Sequence, residues 1–387
     1  MSKTLVNIIS REHPLAAYLF VKEYYEKGDK LVFIAANENF DCITPLVKAL
    51  QIDKEVVQRV VLRRDSDSYT YERICRFINN VLDKEADYYV NLAGGTRYIA
   101  LSVQHVLSNY HAKFFYTQTK QNLIVKTIFD NSIFDNDDEI YPIRYKMSLP
   151  EYFRIYGLEH DMDVPKTFIS DEEQAKRMFD LFANKKLWAS DYKVMDVLRE
   201  KYRNWKYIDI QEVETTINDN MIPIPNLSKF LEHIGFEPAT KGMLQREELE
   251  YLTGGWFEEY VFYLINNNIH PDDIAIGVHI DGCTEIKHNN ELDVCFIKNN
   301  QLFVIECKTG INSQSMFNEI VYKVSALKEV LLGISCHSYI FSLKKDLTGE
   351  MKKIADYMDV TFCDFNCLTK EEKLNKELKK IRSIARN

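Results

Sequence analysis

The stretch ELDVCFIKNNQLFVIECKTG, Glu291 to Gly310, decides how the rest of the chain is read. Two runs rich in Val, Ile and Phe flank Asn299-Asn300, and asparagine tolerates the left-handed backbone that a two-residue hairpin turn requires. A turn centred between the asparagines pairs Lys298 with Gln301 and Ile297 with Leu302, and sets Asp293 opposite Glu306. Opposed residues of an antiparallel pair have Cβ atoms about 4.5–5.5 Å apart, where like charges destabilise. Alternation of faces sends Glu306 and Lys308 to the same side. Three polar groups therefore gather at one spot on otherwise apolar strands.

Two carboxylates this close repel unless one is protonated or a cation sits between them. Oxygen donors of this kind suit Mg²⁺ or Mn²⁺ rather than zinc. Such an ion beside a lysine activates water and neutralises charge on a phosphate under attack. A surface hairpin with unrelated, solvated acids is the plainer alternative, and the alternation of Glu306 with Leu302 and Val304 argues against it. Upstream, LTGGWFEEYVFYLI (Leu252 to Ile265) carries Phe257, Tyr260, Val261 and Leu264 at helical spacing after a Gly-Gly break. Glu258 and Glu259 fall early in that helix. Either one reaches the same metal, or both are first-turn acids favoured by the helix dipole.

A helix with an acid, a hairpin carrying D…E-x-K and a second helix (Phe317 to Leu332) resemble the core of PD-(D/E)xK, restriction-endonuclease-like nucleases. The resemblance implies that Asp293 and Glu306 are metal ligands, joined by the carbonyl of Cys307. It makes Lys308 the residue that orients water or stabilises the transition state, and Glu258 rather than Glu259 the helix acid. Leu292 stands where the family usually has proline.

The 387 residues suit two or three domains, and 46% hydrophobic content with 23 Tyr and 22 Phe fills real cores. A formal net charge of −9 excludes a globally basic, polyelectrolyte-binding surface. The eight cysteines form no CxxC pair, so buried reduced thiols are expected rather than disulfides or a zinc site. No apolar run approaches the ~20 residues that span a bilayer. The opening MSKTLVNIIS enters a strand directly, so no signal peptide and a cytoplasmic location are expected. The closing KEEKLNKELKKIRSIARN reads as a charged helix, solvated or capping a dimer.

Residues 1–147 alternate short apolar runs with amphipathic helices. Strands are expected at Leu5–Ser10, Lys30–Ala35, Val57–Leu62, Tyr88–Leu92 and Lys113–Tyr116, with a helix from Leu15 to Tyr25. This is the pattern of an α/β, Rossmann-like domain with a mainly parallel sheet. Within it, NLAGGTRYIAL (Asn91 to Leu101) ends a strand, turns on Gly94 and Gly95, and caps a helix with Thr96. Exposed amides and the helix dipole favour an anion there, and Arg97 adds a fork-shaped donor. The spacing is neither G-x-G-x-x-G nor a P-loop, so NAD and ATP are poor fits.

That stretch resembles the N-x-[TA]-G-G-T-[KR] signature of CARF domains, the Rossmann-like sensors of type III CRISPR systems. The resemblance implies a homodimer binding a cyclic oligoadenylate second messenger through Asn91, Gly94, Gly95, Thr96 and Arg97. Ser10 and Arg11 are added by the first strand-to-helix loop. Ala93 sits where Thr is frequent, and Arg97 where Lys is common. The order of motifs resembles CRISPR ancillary nucleases with one CARF and one PD-(D/E)xK domain.

Three parts are expected: a sensor over 1–147, a helical, winged-helix-like connector and dimer element over 148–247, and an α/β/α nuclease over 248–387. The connector contains SDEEQAKRMFDLFANKK, where Ser170 and Glu173 read as a capping box, and WKY and FE as short strands. It is read as a rigid spacer. The function implied is a metal-dependent endonuclease for single-stranded RNA or DNA, activated by cyclic tetra-adenylate. Two rivals stand beside it: a restriction or repair DNA endonuclease, and a non-enzymatic CARF transcription regulator.

Overall fold

Every side chain from Thr4 to Ile9 is buried, as befits a strand covered on both faces. The computed structural model describes residues 2–62, 70–127, 139–160, 168–215, 221–281, 290–311, 313–326, 336–345 and 347–384. The first domain runs β1 (Thr4–Ile9), α1 (Pro14–Tyr24), β2 (Lys30–Ala36), α2 (Ile43–Leu50), β3 (Val57–Leu62), α3 (Tyr71–Val81), β4 (Tyr88–Asn91), α4 (Arg97–Leu107) and β5 (Ala112–Gln118). Two further strands follow, β6 (Leu123–Thr127) and β7 (Glu139–Pro142). The sheet order is β3-β2-β1-β4-β5-β6-β7, parallel as far as β5 and antiparallel beyond it. The strand order reverses between β1 and β4, and α1 and α4 leave toward different core clusters. A crevice opens at such a switch point.

The next segment contains α5 (Leu149–Ile155), β8 (Glu159–His160), α6 (Glu172–Ala183), α7 (Ala189–Val197), β9 (Tyr207–Asp209), α8 (Ile210–Thr215), α9 (Leu227–Ile234), β10 (Met243–Gln245) and α10 (Arg246–Glu250). Here two expectations are corrected. Asp171, not Ser170, caps α6 by accepting from the Gln174 amide at 2.8 Å. The Ser170 hydroxyl is consumed by the buried carboxylate of Glu259. The partner of β9 is β10, while Phe236 and Glu237 lie outside any strand.

The last part comprises α11 (Trp256–Ile269), β11 (Asp273–Asp281), β12 (Asn290–Lys298), β13 (Gln301–Lys308), α12 (Gln314–Ala326), β14 (Cys336–Ser342), α13 (Gly349–Tyr357), β15 (Val360–Cys363), α14 (Phe365–Thr369) and α15 (Glu371–Ile384). The expected helix over Phe317 to Leu332 begins earlier, and its end past Ala326 lies outside the described residues. The sheet order is β15-β14-β13-β12-β11-β8, so the connector lends this sheet its edge strand.

The connector packs directly on the hairpin. Its Phe179, Phe230 and Leu244 share one core with Val294, Phe296, Phe303 and Ile305 of the hairpin. A second core joins Leu15, Leu46 and Tyr152 to Leu292, Cys295, Leu302 and Val304. The first domain therefore docks directly on the second sheet, because that hairpin is apolar on both sides. The closing helix is also more than a solvated end. Leu378 and Ile381 of α15 are buried in the first of these cores, and Arg382 donates to the Asn268 carbonyl.

The cysteine expectation fails at one place. Cys363 and Cys367 form a disulfide with a Cα–Cα distance of 5.5 Å. Asp364 caps α14 by accepting from the Cys367 amide, which turns the chain back on itself. Cys42, Cys75, Cys295, Cys307 and Cys336 take no part in a disulfide.

Candidate active site

Asn299 and Asn300 both adopt left-handed backbone (φ 49° and 61°), and the strands pair from Lys298 with Gln301 to Val294 with Ile305. The expected register holds, but the ladder stops one step short of the acids. Beyond it, the Asp293 carboxylate substitutes for a strand partner: Oδ2 accepts from the Cys307 amide at 2.7 Å. Lys308 Nζ lies 3.3 Å from Asp293 Oδ2 and 2.7 Å from Glu306 Oε1. Asp293 and Glu306 are both buried, at 7% and 3% exposure. Burial and the Glu306 charge push the Asp293 carboxyl up to about 7, against the pull of Lys308. The two acids outweigh burial at Lys308 and hold its ammonium well above the ordinary lysine value. Burial and then Asp293 raise the Cys307 thiol far above its usual range, so the sulfur is inert.

The two helix acids separate. Glu259 is buried and accepts from the Ile169 and Ser170 amides at 2.8 and 3.0 Å, tying the connector to α11. Glu258 is only partly buried, and its charge acts on Asp293. One residue that sequence reasoning missed also reaches the site. Lys323 of α12 lies 3.4 Å from Glu306 Oε1. No motif marks it, because its spacing on an amphipathic helix is that of any surface lysine.

These residues suit a hard divalent ion. Among the described residues no group of three or more His, Cys, Asp or Glu side chains is arranged to hold a metal by itself. Zinc, which wants a closed set of nitrogen and sulfur donors, is a poor match. Mg²⁺ and Mn²⁺ are commonly held by one or two carboxylates and complete their shell with water and substrate phosphate. Asp293 and Glu306, with the Cys307 carbonyl, are the candidates for such a set.

The second motif lies at the switch point of the first sheet. Asn91 is fully buried; its Nδ2 donates to Asn7 Oδ1 and the Ala16 carbonyl. Its Oδ1 accepts from the Ala93 amide, the Thr117 amide and the Thr117 hydroxyl. The loop is thus pinned to β1, α1 and β5 by one side chain. Gly94 and Gly95 have φ of 114° and 63°, and a Cβ on either would collide with Ile8. Thr96 accepts from the Ile99 amide and caps α4. Arg97 is exposed beside it. In the loop after β1 the Ser10 hydroxyl oxygen is buried without a partner among the described residues, and Arg11 is exposed, its amide bound to Asn39.

Residues 4–152 match the Card1 CARF domain, and residues 245–360 match the Card1-like endonuclease domain. The chain belongs to the CARF-domain CRISPR nucleases. Comparison with curated protein sequences gives no match. Among solved structures, protein VC1899 from Vibrio cholerae aligns over 99% of this chain and 98% of its own, with 17% identity and a TM-score of 0.74. Can2 from Sulfobacillus thermosulfidooxidans, in complex with cyclic tetra-adenylate, aligns over 97% of each chain, with 20% identity and a TM-score of 0.66. A type III CRISPR defence DNA nuclease activated by cyclic oligoadenylate aligns over 90% of this chain but 46% of its own, with 11% identity and a TM-score of 0.53. At these identities the likeness is one of fold. No helix among the described residues is long and apolar enough to cross a membrane.

Proposed function

We propose that this chain is an Mg²⁺- or Mn²⁺-dependent endonuclease that cleaves single-stranded RNA or DNA when cyclic tetra-adenylate binds its sensor domain. The observation that carries this reading is the convergence of Asp293, Glu306 and Lys308 at the open end of a hairpin whose turn is gripped by the sensor. Asp293, Glu306 and the Cys307 carbonyl would hold the ion, with Glu258 adding charge beside them. Held there, such an ion would supply a water of lowered pKa and a positive charge beside the phosphate. Lys308 stays an ammonium under the pull of two acids, so it acts as a donor to the phosphate or water and not as a base.

In the sensor, the bare Gly-Gly backbone, the Thr96-capped helix start, Arg97, Arg11 and the orphan Ser10 hydroxyl suit a multiply charged phosphodiester ring. Tyr98 and Leu101, exposed on α4 beside that loop, support a homodimer that shares the ring between two copies. The link between the two ends is short. Asn91 holds Thr117 of β5, and the turn after β5 holds the hairpin. Asn122 Oδ1 accepts from Asn300 Nδ2 at 2.8 Å, and the Lys120 carbonyl from Gln301 Nε2 at 3.0 Å. Activation requires the ring to favour one of two arrangements of these contacts.

Purified chain with Mn²⁺ and labelled RNA, single-stranded DNA or duplex, with and without cyclic tetra-adenylate, tests the proposal. Cleavage that needs both metal and activator is expected. Equal cleavage without activator removes the regulation, and no cleavage under any condition removes the nuclease.

A further inference from the structure

Lys323 shares one carboxylate oxygen with the motif lysine. Its Nζ lies 3.4 Å from Glu306 Oε1, the atom that Lys308 reaches at 2.7 Å. Helix geometry offers Lys323 a nearer partner, Glu319, one turn earlier in the favourable acid-to-lysine order. Yet Glu319 accepts from the Ser315 hydroxyl at 3.3 Å, and Lys323 turns toward the sheet. The placement is fixed by packing: Phe317, Val321 and Val324 of α12 are buried against Ile340, the strand neighbour of Glu306. Its side chain remains 40% exposed, against 26% for Lys308. It therefore stands at the rim, on the solvent side of the acids.

We infer that Lys323 is a phosphate-binding residue of this nuclease, sharing Glu306 with Lys308 before a metal binds and turning to a phosphate oxygen of the strand afterwards. The inference rests on the nuclease reading above. A divalent ion and two ammonium groups compete for one carboxylate. The ion would displace the cation held less firmly: among the described residues Lys323 has one acid and an exposed stem where Lys308 has two acids. A released ammonium is a compact charge with three donors, placed where the substrate must approach. There it offsets the extra negative charge that the phosphate gains as it is attacked.

The test compares wild type, Lys323→Ala and Lys323→Arg in the full chain. It reads kcat/KM, Mn²⁺ affinity by electron paramagnetic resonance, melting temperature, and the salt dependence of single-strand binding. With folding unchanged, Lys323→Ala should lose about 10–100-fold in kcat/KM and bind Mn²⁺ as tightly or tighter. Its plot of log affinity against log salt should flatten by about 0.7, one phosphate contact on a single strand. Lys323→Arg should recover most of the rate. A kcat/KM within twofold of wild type, an unchanged salt slope, or weaker Mn²⁺ binding in Lys323→Ala would each overturn the inference. If wild type cleaves nothing, the nuclease reading fails, and the salt slope still decides whether Lys323 meets phosphate.

Discussion

At its turn, the β12–β13 hairpin is held mainly by side-chain amides and backbone groups that satisfy one another, with the Asp272 carboxylate accepting from the Asn299 amide. Asn300 accepts from the Met147 amide and donates to Asn122 and the Tyr145 carbonyl, while Gln301 meets Lys120, Ile384 and His337. At its open end the same two strands carry buried acids, and ammonium groups from β13 and α12 are drawn onto few of their oxygens. One end fixes a position and the other holds charge ready for a ligand. Substitutions should separate accordingly, stability responding at the turn and chemistry at the open end.

The sharpest test of that contrast removes the open-end charges. Glu306→Gln and Lys308→Met should each cut Mn²⁺-dependent cleavage by about 10³-fold. Glu306→Gln should change the melting temperature little, because relief of the like-charge pair with Asp293 offsets the lost ion pairs with Lys308 and Lys323. A matching loss of stability would erase the distinction between the ends. Next in size, Gly94→Ala forces a Cβ into the Ile8 carbonyl at a left-handed position. Calorimetry should show an activator affinity lower by about 100-fold, with the metal site intact; unchanged affinity would remove the loop from the sensor site.

At the turn, Asn300→Ala leaves buried partners unsatisfied and should cost about 3 kcal/mol in denaturant unfolding. Activator binding should persist while the ratio of activated to basal cleavage falls toward one. A normal ratio would place the coupling elsewhere. The smallest effect concerns Glu151, near the docking surface. Burial pushes its carboxyl up, but hydrogen bonds from Tyr145, the Ser148 amide and Tyr18 outweigh that and hold it at about 2. A carboxyl depressed from 4.5 to about 2 adds stability above pH 4.5, and this is lost as pH falls toward 2. Glu151→Gln should flatten that acid limb in melting curves; an unaltered limb would deny the carboxylate its part in the junction.

What could be read in advance was whatever short-range chemistry dictates. The asparagine pair specified its own turn, the turn specified the register, and the register brought Asp293 beside Glu306. Likewise Gly94, Gly95 and Thr96 announced a tight strand-to-helix passage. The remainder depended on contacts between distant elements. Nothing local tells Lys323 to prefer Glu306 over Glu319, or Ser170 to give its hydroxyl to Glu259. The Cys363–Cys367 bond follows from a capped turn, whereas a spacing of four is ambiguous on paper. That the sensor rests on the nuclease sheet was hidden for a different reason: the hairpin's unbroken apolar character says it is covered, but not by what.

The clasp at Asn300, just before β13, and the acid at Glu306 are six residues apart, about 20 Å at an extended rise of about 3.3 Å per residue. Over that arm a tilt of roughly 3° carries the carboxylate about 1 Å, a misplacement large enough to cost 10²-fold in rate. An on-off switch built this way needs no visible rearrangement of the fold, only a slight pivot where two neutral side chains meet.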